Sequence, residues 1–145
     1  MDATMINAGG IIGSGIFMVP ATVALYTASS SLFFMVWILG GAGDDVLEGG
    51  AGDDVLSGGS GADTFVFSGG GGNDVVLDFQ AGEDMLSISS NINDTGIETA
   101  DDVAARATQV GANTVIDLGN GDSITLNNVD AEDIQDDPDS FFSVQ

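Results

Sequence analysis

Gly40–Glu48 reads GGAGDDVLE, Gly49–Ser57 reads GGAGDDVLS, and Gly58–Val66 reads GGSGADTFV. After a two-residue insertion, Phe67-Ser68, the stretch Gly69–Leu77 reads GGGGNDVVL, and a weaker fifth copy, Phe79–Ser87 (FQAGEDMLS), keeps Gly82, Asp84 and Leu86. The shared frame is G-G-x-G-x-D-x-U-x, with U a large apolar residue, and a fixed period of this kind marks stacked repeats. A flexible Gly/Asp linker has no reason to hold an apolar residue at the same place in every copy. The last three residues of each copy are expected to form a very short strand, with Leu47, Leu56, Phe65 and Val76 pointing inward. Two copies would complete one coil, so copy n stacks on copy n+2 at a strand spacing of about 4.8 Å. Asp45 would then lie near Asp63, and Asp54 near Asp74.

Glycines at the first, second and fourth positions allow positive φ and a close approach of backbone carbonyls to an ion. At the second and fourth positions these are Gly41, Gly43, Gly50, Gly52, Gly59, Gly61, Gly70 and Gly72. The sixth-position aspartates Asp45, Asp54, Asp63 and Asp74, with Asp84 of the fifth copy, supply charged oxygens. Two carboxylates about 5 Å apart repel by roughly 3 kcal/mol at an effective dielectric of 20. A Ca²⁺ ion between them turns that repulsion into a binding site.

Composition points the same way. The 145 residues carry a net charge of −22, with Arg106 the single basic side chain. Such a chain repels nucleic acid phosphates and anionic lipid headgroups and attracts cations. Histidine and cysteine are both absent, which excludes His acid/base catalysis, a Cys nucleophile, disulfides and an ordinary zinc site. Oxygen donors remain, and these suit hard cations such as Ca²⁺.

The region from residue 40 to the end resembles the C-terminal region of repeats-in-toxin (RTX) proteins. The resemblance implies an all-β fold, a right-handed parallel β-roll, with Ca²⁺ held by the Asp side chains and the carbonyls of the Gly-rich turns. Asp78-Phe79 and Met85–Ile88 read as the last rungs of the roll, within residues 40–90. Residues 91–145 read as a cap. Thr99 is placed as the N-cap of one short helix reaching about Gln109, with acidic residues in its first turn. Asn113–Leu118 and Ser123–Leu126 alternate apolar residues around Gly119-Asn120-Gly121-Asp122, the pattern of a β-hairpin. The cap is expected to cover the open end of the roll. The tail from Asp136 to Val144 sets acidic residues before an apolar patch. It resembles an uncleaved signal read by a type I secretion exporter, and it also fits a terminal strand whose phenylalanines pack on the cap.

The N-terminal part is of another kind. From Ala3 to Gly43 there is no Asp, Glu, Lys or Arg, and residues 5–39 are strongly apolar. Met5–Leu25 is long enough for a membrane-spanning helix, so residues 1–39 read as a hydrophobic helical segment and membrane anchor. A cleavable leader is the alternative, although such leaders open with Lys or Arg and this run follows Met1-Asp2. Gly9–Pro20 (GGIIGSGIFMVP) resembles the first transmembrane helix of amino-acid permeases of the amino acid–polyamine–organocation superfamily, and the stretch to Gly41 resembles their next loop and helix start. That resemblance would make the chain a fusion at Gly40-Gly41. One helix cannot enclose a transport site, so transport is not expected.

The expected function is a secreted, extracellular module that binds Ca²⁺ and folds on it after export. A membrane-anchored calcium-binding domain is the alternative. No enzyme is expected: neither H-E-x-x-H nor a histidine for a Ser triad is present.

Overall fold

The computed structural model describes residues 36–145. The repeats form six strands: β1 (Val36–Ala42), β2 (Val46–Glu48), β3 (Asp54–Ser60), β4 (Thr64–Phe67), β5 (Asn73–Val76) and β6 (Met85–Ile88). Their β-branched and aromatic residues favour extended backbone, and the intervening Gly-rich turns send each strand to the opposite sheet. Odd strands β1, β3 and β5 pair parallel in one sheet, and even strands β2, β4 and β6 pair parallel in the other. Stacking of copy n on copy n+2 is therefore observed as expected.

Because side chains alternate faces along a strand, each rung sends at least one residue into the core. Ile38 lies opposite Leu56, and Leu56 opposite Val76. In the second sheet Leu47 lies opposite Phe65, and Phe65 opposite Leu86. All six are buried. The inserted Phe67 does not loop out. It continues β4, is buried, and lies opposite Ile88. Phe65 also meets Phe79, which stacks on Phe141 with ring centroids 5.8 Å apart.

The cap comprises α1 (Ala100–Ala104), β7 (Ala107–Val110), β8 (Asn113–Gly119), β9 (Asp122–Leu126), α2 (Ala131–Asp136) and β10 (Phe142–Val144), with short 3₁₀ turns at Ile92–Asp94 and Pro138–Ser140. The hairpin β8–β9 forms as read, with Asn120 at φ 55° and Gly121 at φ 92° in its turn. Both left-handed residues match the twist of the flanking strands. The hairpin extends the odd sheet through parallel pairing of β9 on β5, and β10 adds to the even sheet on β6. Met85–Ile88 is thus not the last rung. Val76 is followed in its column by Leu126, and Leu86 by Phe142. The tail phenylalanines Phe141 and Phe142 are buried as a terminal strand would bury them.

Other expectations are corrected. The helix N-capped by Thr99 has the full capping box with Asp102 but ends at Ala104. Ala107–Val110, read as its continuation, pairs antiparallel with β8, and sheet pairing overrides the local helical reading there. A second helix, α2, was not expected; Asp130 caps it by accepting the Glu132 N–H. Val36–Leu39 were placed in the helical segment of residues 1–39 but are extended and paired with Asp54–Ser57. Ile38 takes the inward place of a preceding rung, so the parallel strand stack already includes residues ahead of Gly40. The rest of the expected anchor, residues 1–35, lies outside the described residues. Among the described residues no helix is long and apolar enough to cross a membrane.

Phe65 is fully buried between Leu47 and Leu86 in its column. Phe65→Ala should lower stability by about 3–5 kcal/mol, the cost of a large-to-small change at a packed core site. Urea unfolding at saturating Ca²⁺ measures it, and a loss below about 1 kcal/mol would contradict this packing.

Candidate metal centre

Each sixth-position aspartate sits at the junction of a glycine turn and a strand, so strand pairing stacks the aspartates as it stacks the apolar residues. The N–H of Asp45 donates to Asp63 Oδ1 at 2.9 Å, and the N–H of Asp63 donates to Asp84 Oδ1 at 3.0 Å. On the other edge the N–H of Asp54 donates to Asp74 Oδ1 at 2.9 Å. Two rows result: Asp45–Asp63–Asp84 and Asp54–Asp74. All five residues are buried, with exposures of 1–3%. The pairs Asp45/Asp63 and Asp54/Asp74 expected from the repeat are thus brought together, and Asp84 extends the first row.

The glycines divide the work differently from the sequence reading. Gly43, Gly50, Gly52, Gly59, Gly61, Gly70 and Gly72 have positive φ, whereas Gly41 (within β1) and the first-position glycines do not. First-position glycines are needed for room instead. A Cβ on Gly49 would stand 2.6 Å from Asp54 Oδ2, and one on Gly58 would overlap Asp63 Oδ2. Fourth-position glycines let turns stack closely: Gly61 lies against the Gly43 carbonyl, and Gly72 against that of Gly52. The turn carbonyls therefore stand close to the next turn of the same row.

Several acidic residues hold this scaffold without belonging to the rows. Asp44 accepts the Ala62 N–H, and Asp53 the Asn73 N–H. Asp78 accepts the N–H groups of Gly58 and Gly59 and the Ser57 hydroxyl. Asp122 accepts the N–H groups of Gly70, Gly71 and Gly72 and the Asn93 amide. The sequence reading missed all four roles. The fifth-position recurrence of Asp44 and Asp53 was a usable signal, but the partners of Asp78 and Asp122 depend on cross-turn pairing.

Electrostatically the rows are unbalanced. Arg106 bonds the carbonyls of Thr95 and Asp117 in the cap and is no counter-ion to them. Burial pushes the Asp74 carboxyl up to about 7; the Asp54 N–H pulls it down, and Asp54, Asp53 and Asp122 push it further up. Burial likewise raises Asp63; the Asp45 N–H opposes this, and Asp84, Asp45 and Asp78 reinforce it. Asp122 differs. Burial acts to raise it, but the hydrogen bonds from Asn93, Gly70, Gly72 and Gly71 together hold it below the ordinary range.

These residues fit a hard cation. Asp45 Oδ1 and Asp63 Oδ2 are buried and lack a hydrogen-bond partner among the described residues, a costly state for a charged oxygen that a metal ion relieves. Among the described residues no three His, Cys, Asp or Glu side chains converge. An ion here has to combine row carboxylates with turn carbonyls, and Ca²⁺ takes such all-oxygen sets.

Comparison with known proteins agrees. Residues 37–65 and 66–77 match the RTX calcium-binding nonapeptide repeat, in four copies. The match opens at Trp37, ahead of Gly40, consistent with the strand place of Ile38. The chain therefore carries RTX calcium-binding nonapeptide repeats in a mostly β fold. No curated protein matches it. Among solved structures it is similar to the extracellular lipase LipA from Serratia marcescens, at 26% identity and a TM-score of 0.51. That likeness covers 70% of this chain but only 20% of the lipase chain. Neither match supports the permease resemblance or a fusion at Gly40-Gly41, and most of the permease-like stretch lies outside the described residues.

A pH dependence follows. The Asp74 carboxyl has a value of about 7 in the fold against 3.8 ordinarily, so protonation favours the ion-free fold. That stabilisation is complete below about 4 and disappears as pH rises to about 7. Asp122, held low, acts oppositely and loses its contribution only as pH falls below the ordinary carboxylate range. Without Ca²⁺, strand signal in circular dichroism should grow from pH 8 to 5. The Ca²⁺ midpoint should rise over the same interval, because protons and Ca²⁺ compete for the rows. Equal midpoints at pH 8 and 5.5 would contradict the assignment.

Proposed function

We propose that the chain is a calcium-binding module, a right-handed parallel β-roll with a β cap, that folds on Ca²⁺ after export through a type I secretion exporter. The observation that carries the reading is the pair of buried carboxylate rows with no basic side chain beside them and with oxygens on Asp45 and Asp63 that have no hydrogen-bond partner among the described residues. The ions would be held by Asp45, Asp63 and Asp84 in one row and by Asp54 and Asp74 in the other. The carbonyls of Gly41, Gly43, Gly50, Gly52, Gly59, Gly61, Gly70 and Gly72 would complete the sets.

A ligand that binds only the folded arrangement contributes its binding free energy to folding. Without it, a small core must offset chain entropy of about 1–2 kcal/mol per residue together with carboxylate repulsion. Extracellular modules bind Ca²⁺ at about 10⁻⁴–10⁻³ M, which keeps such a chain unfolded in a low-Ca²⁺ cytoplasm and folds it outside. The repeats and the likeness to an extracellular lipase support a secreted address. No catalysis is assigned to the chain, which has no histidine or cysteine. The apolar run at residues 5–39 supports a second reading, a membrane-anchored calcium-binding domain. Carbonate-resistant membrane association would favour that form, and release into the medium the exported one.

Circular dichroism of the full chain during a Ca²⁺ titration, with Mg²⁺ as control, tests the central claim. A Ca²⁺-specific rise in strand signal is expected. Asp63→Ala should shift its midpoint upward at least about tenfold, some 1.4 kcal/mol, whereas Asp133→Ala in α2 should leave it unchanged. A flat trace, or equal responses to both ions, would overturn the calcium reading.

A further inference from the structure

In four of the five turns the N–H of the second residue finds its acceptor in one of two ways. In two turns it closes onto the aspartate of its own turn. The Gly41 N–H donates to Asp45 Oδ2 at 2.8 Å, and the Gln80 N–H donates to Asp84 Oδ2 at 2.8 Å. Neither Gly41 nor Gln80 has a positive φ. In two other turns an outside carboxylate takes that N–H. Gly59 donates to Asp78 at 2.9 Å, and Gly70 donates to Asp122 at 2.7 Å. Both glycines are left-handed, at φ 97° and 82°.

The consequence is visible at Asp63. Its Oδ1 is held by the Asp45 N–H, but its Oδ2, seated over Gly58, is buried and unpartnered among the described residues. The Gly59 N–H, the counterpart of the Gly41 N–H that closes on Asp45, is bound to Asp78, whose carboxylate also holds the Gly58 N–H and the Ser57 hydroxyl. Asp84 shows the contrast: with the Gln80 N–H free to close the turn, both of its oxygens are occupied.

We propose that Asp78 is a positioning residue for calcium: it withholds the Gly59 N–H from Asp63 and so keeps Asp63 Oδ2 open as the anionic ligand of the tightest ion in the Asp45–Asp63–Asp84 row. This rests on the calcium reading and deepens it. Asp78 itself coordinates nothing. In Asp78→Ala the Gly59 N–H is released, can close on Asp63 Oδ2 as Gly41 does on Asp45, and then competes with the ion.

The test is a double-mutant cycle on the full chain, reading Ca²⁺ affinity by calorimetry and fold by circular dichroism. Asp78→Ala should weaken the tightest Ca²⁺ by about tenfold in the wild-type background, the scale on which ligand charge tunes Ca²⁺ sites. In the Asp63→Asn background, where the competing oxygen has lost its charge, the same change should cost less than about twofold. Residues that act through one another are non-additive in this way. A merely structural role for Asp78 would give equal losses in both backgrounds, and that outcome overturns the proposal while leaving calcium binding intact. If Asp78→Ala fails to fold at saturating Ca²⁺, Ser57→Ala, which removes one of Asp78's three donors, replaces it in the same cycle. A smaller loss confined to the wild-type background supports the proposal, and equal losses overturn it. Absence of any Ca²⁺ binding by the wild-type chain would instead overturn the calcium reading itself.

Discussion

Strand pairing in this protein stacks like on like, and the stacked residues include carboxylates. The strand repeat of about 4.8 Å that places Leu47 on Phe65 also places Asp45 beside Asp63, and the two consequences are inseparable. Apolar columns gain from the arrangement, about 25 cal/mol for each Å² removed from water. Carboxylate rows lose from it, because burial and mutual repulsion both disfavour the charged form. A single basic side chain engaged in the cap cannot restore the balance. Protons or cations must: burial first, and the neighbouring carboxylates after it, raise Asp74 and Asp63 and so favour their protonated form.

The backbone meets the same constraint from the other side. Each turn brings several N–H groups to one place, and each needs an acceptor. Row aspartates supply some of these through cross-turn bonds, and carboxylates outside the rows supply the rest. Asp122 accepts from three successive glycines and is held in its charged form by them, the behaviour of an anion in a backbone nest. At this end of the roll β9 stacks on β5 with Ile124 opposite Asp74, so the second row of aspartates stops there and an apolar residue takes the next place. The cap is therefore a continuation of both sheets in which apolar stacking goes on, while in the β5–β9 pair carboxylate stacking ceases.

Much of this was legible from the repeat. Copy n on copy n+2, the inward Leu47, Leu56, Phe65 and Val76, the partners of Asp45 and Asp54, and the Asn120-Gly121 hairpin all follow from period and local turn chemistry. Where the reading went astray, a local signal met a longer-range one. Val36–Leu39 are apolar and continuous with an apolar run, yet pairing with Asp54–Ser57 makes them strand. Ala107–Val110 could extend a helix, yet β8 offers a sheet edge. α2 is too short and too acidic to show an apolar period.

By itself the sequence determined the pairs Asp45/Asp63 and Asp54/Asp74, because a nine-residue period that alternates between two sheets stacks its own sixth positions on one another. Asp84, beyond the insertion, joined the first row only in the fold. The sequence also determined that no histidine or cysteine side chain would stand in the rows, while the fold set the single basic side chain, Arg106, in the cap. Tertiary structure alone decided that, among the described residues, Asp45 Oδ1 and Asp63 Oδ2 have no hydrogen-bond partner. The competition of Asp78 and Asp63 for one glycine N–H is settled by a contact between residues some twenty positions apart, placed by the pairing of neighbouring strands. Hydrogen-bond partners chosen at a few tenths of an ångström depend on the packed coil as a whole, and the order of residues along the chain carries no such distances.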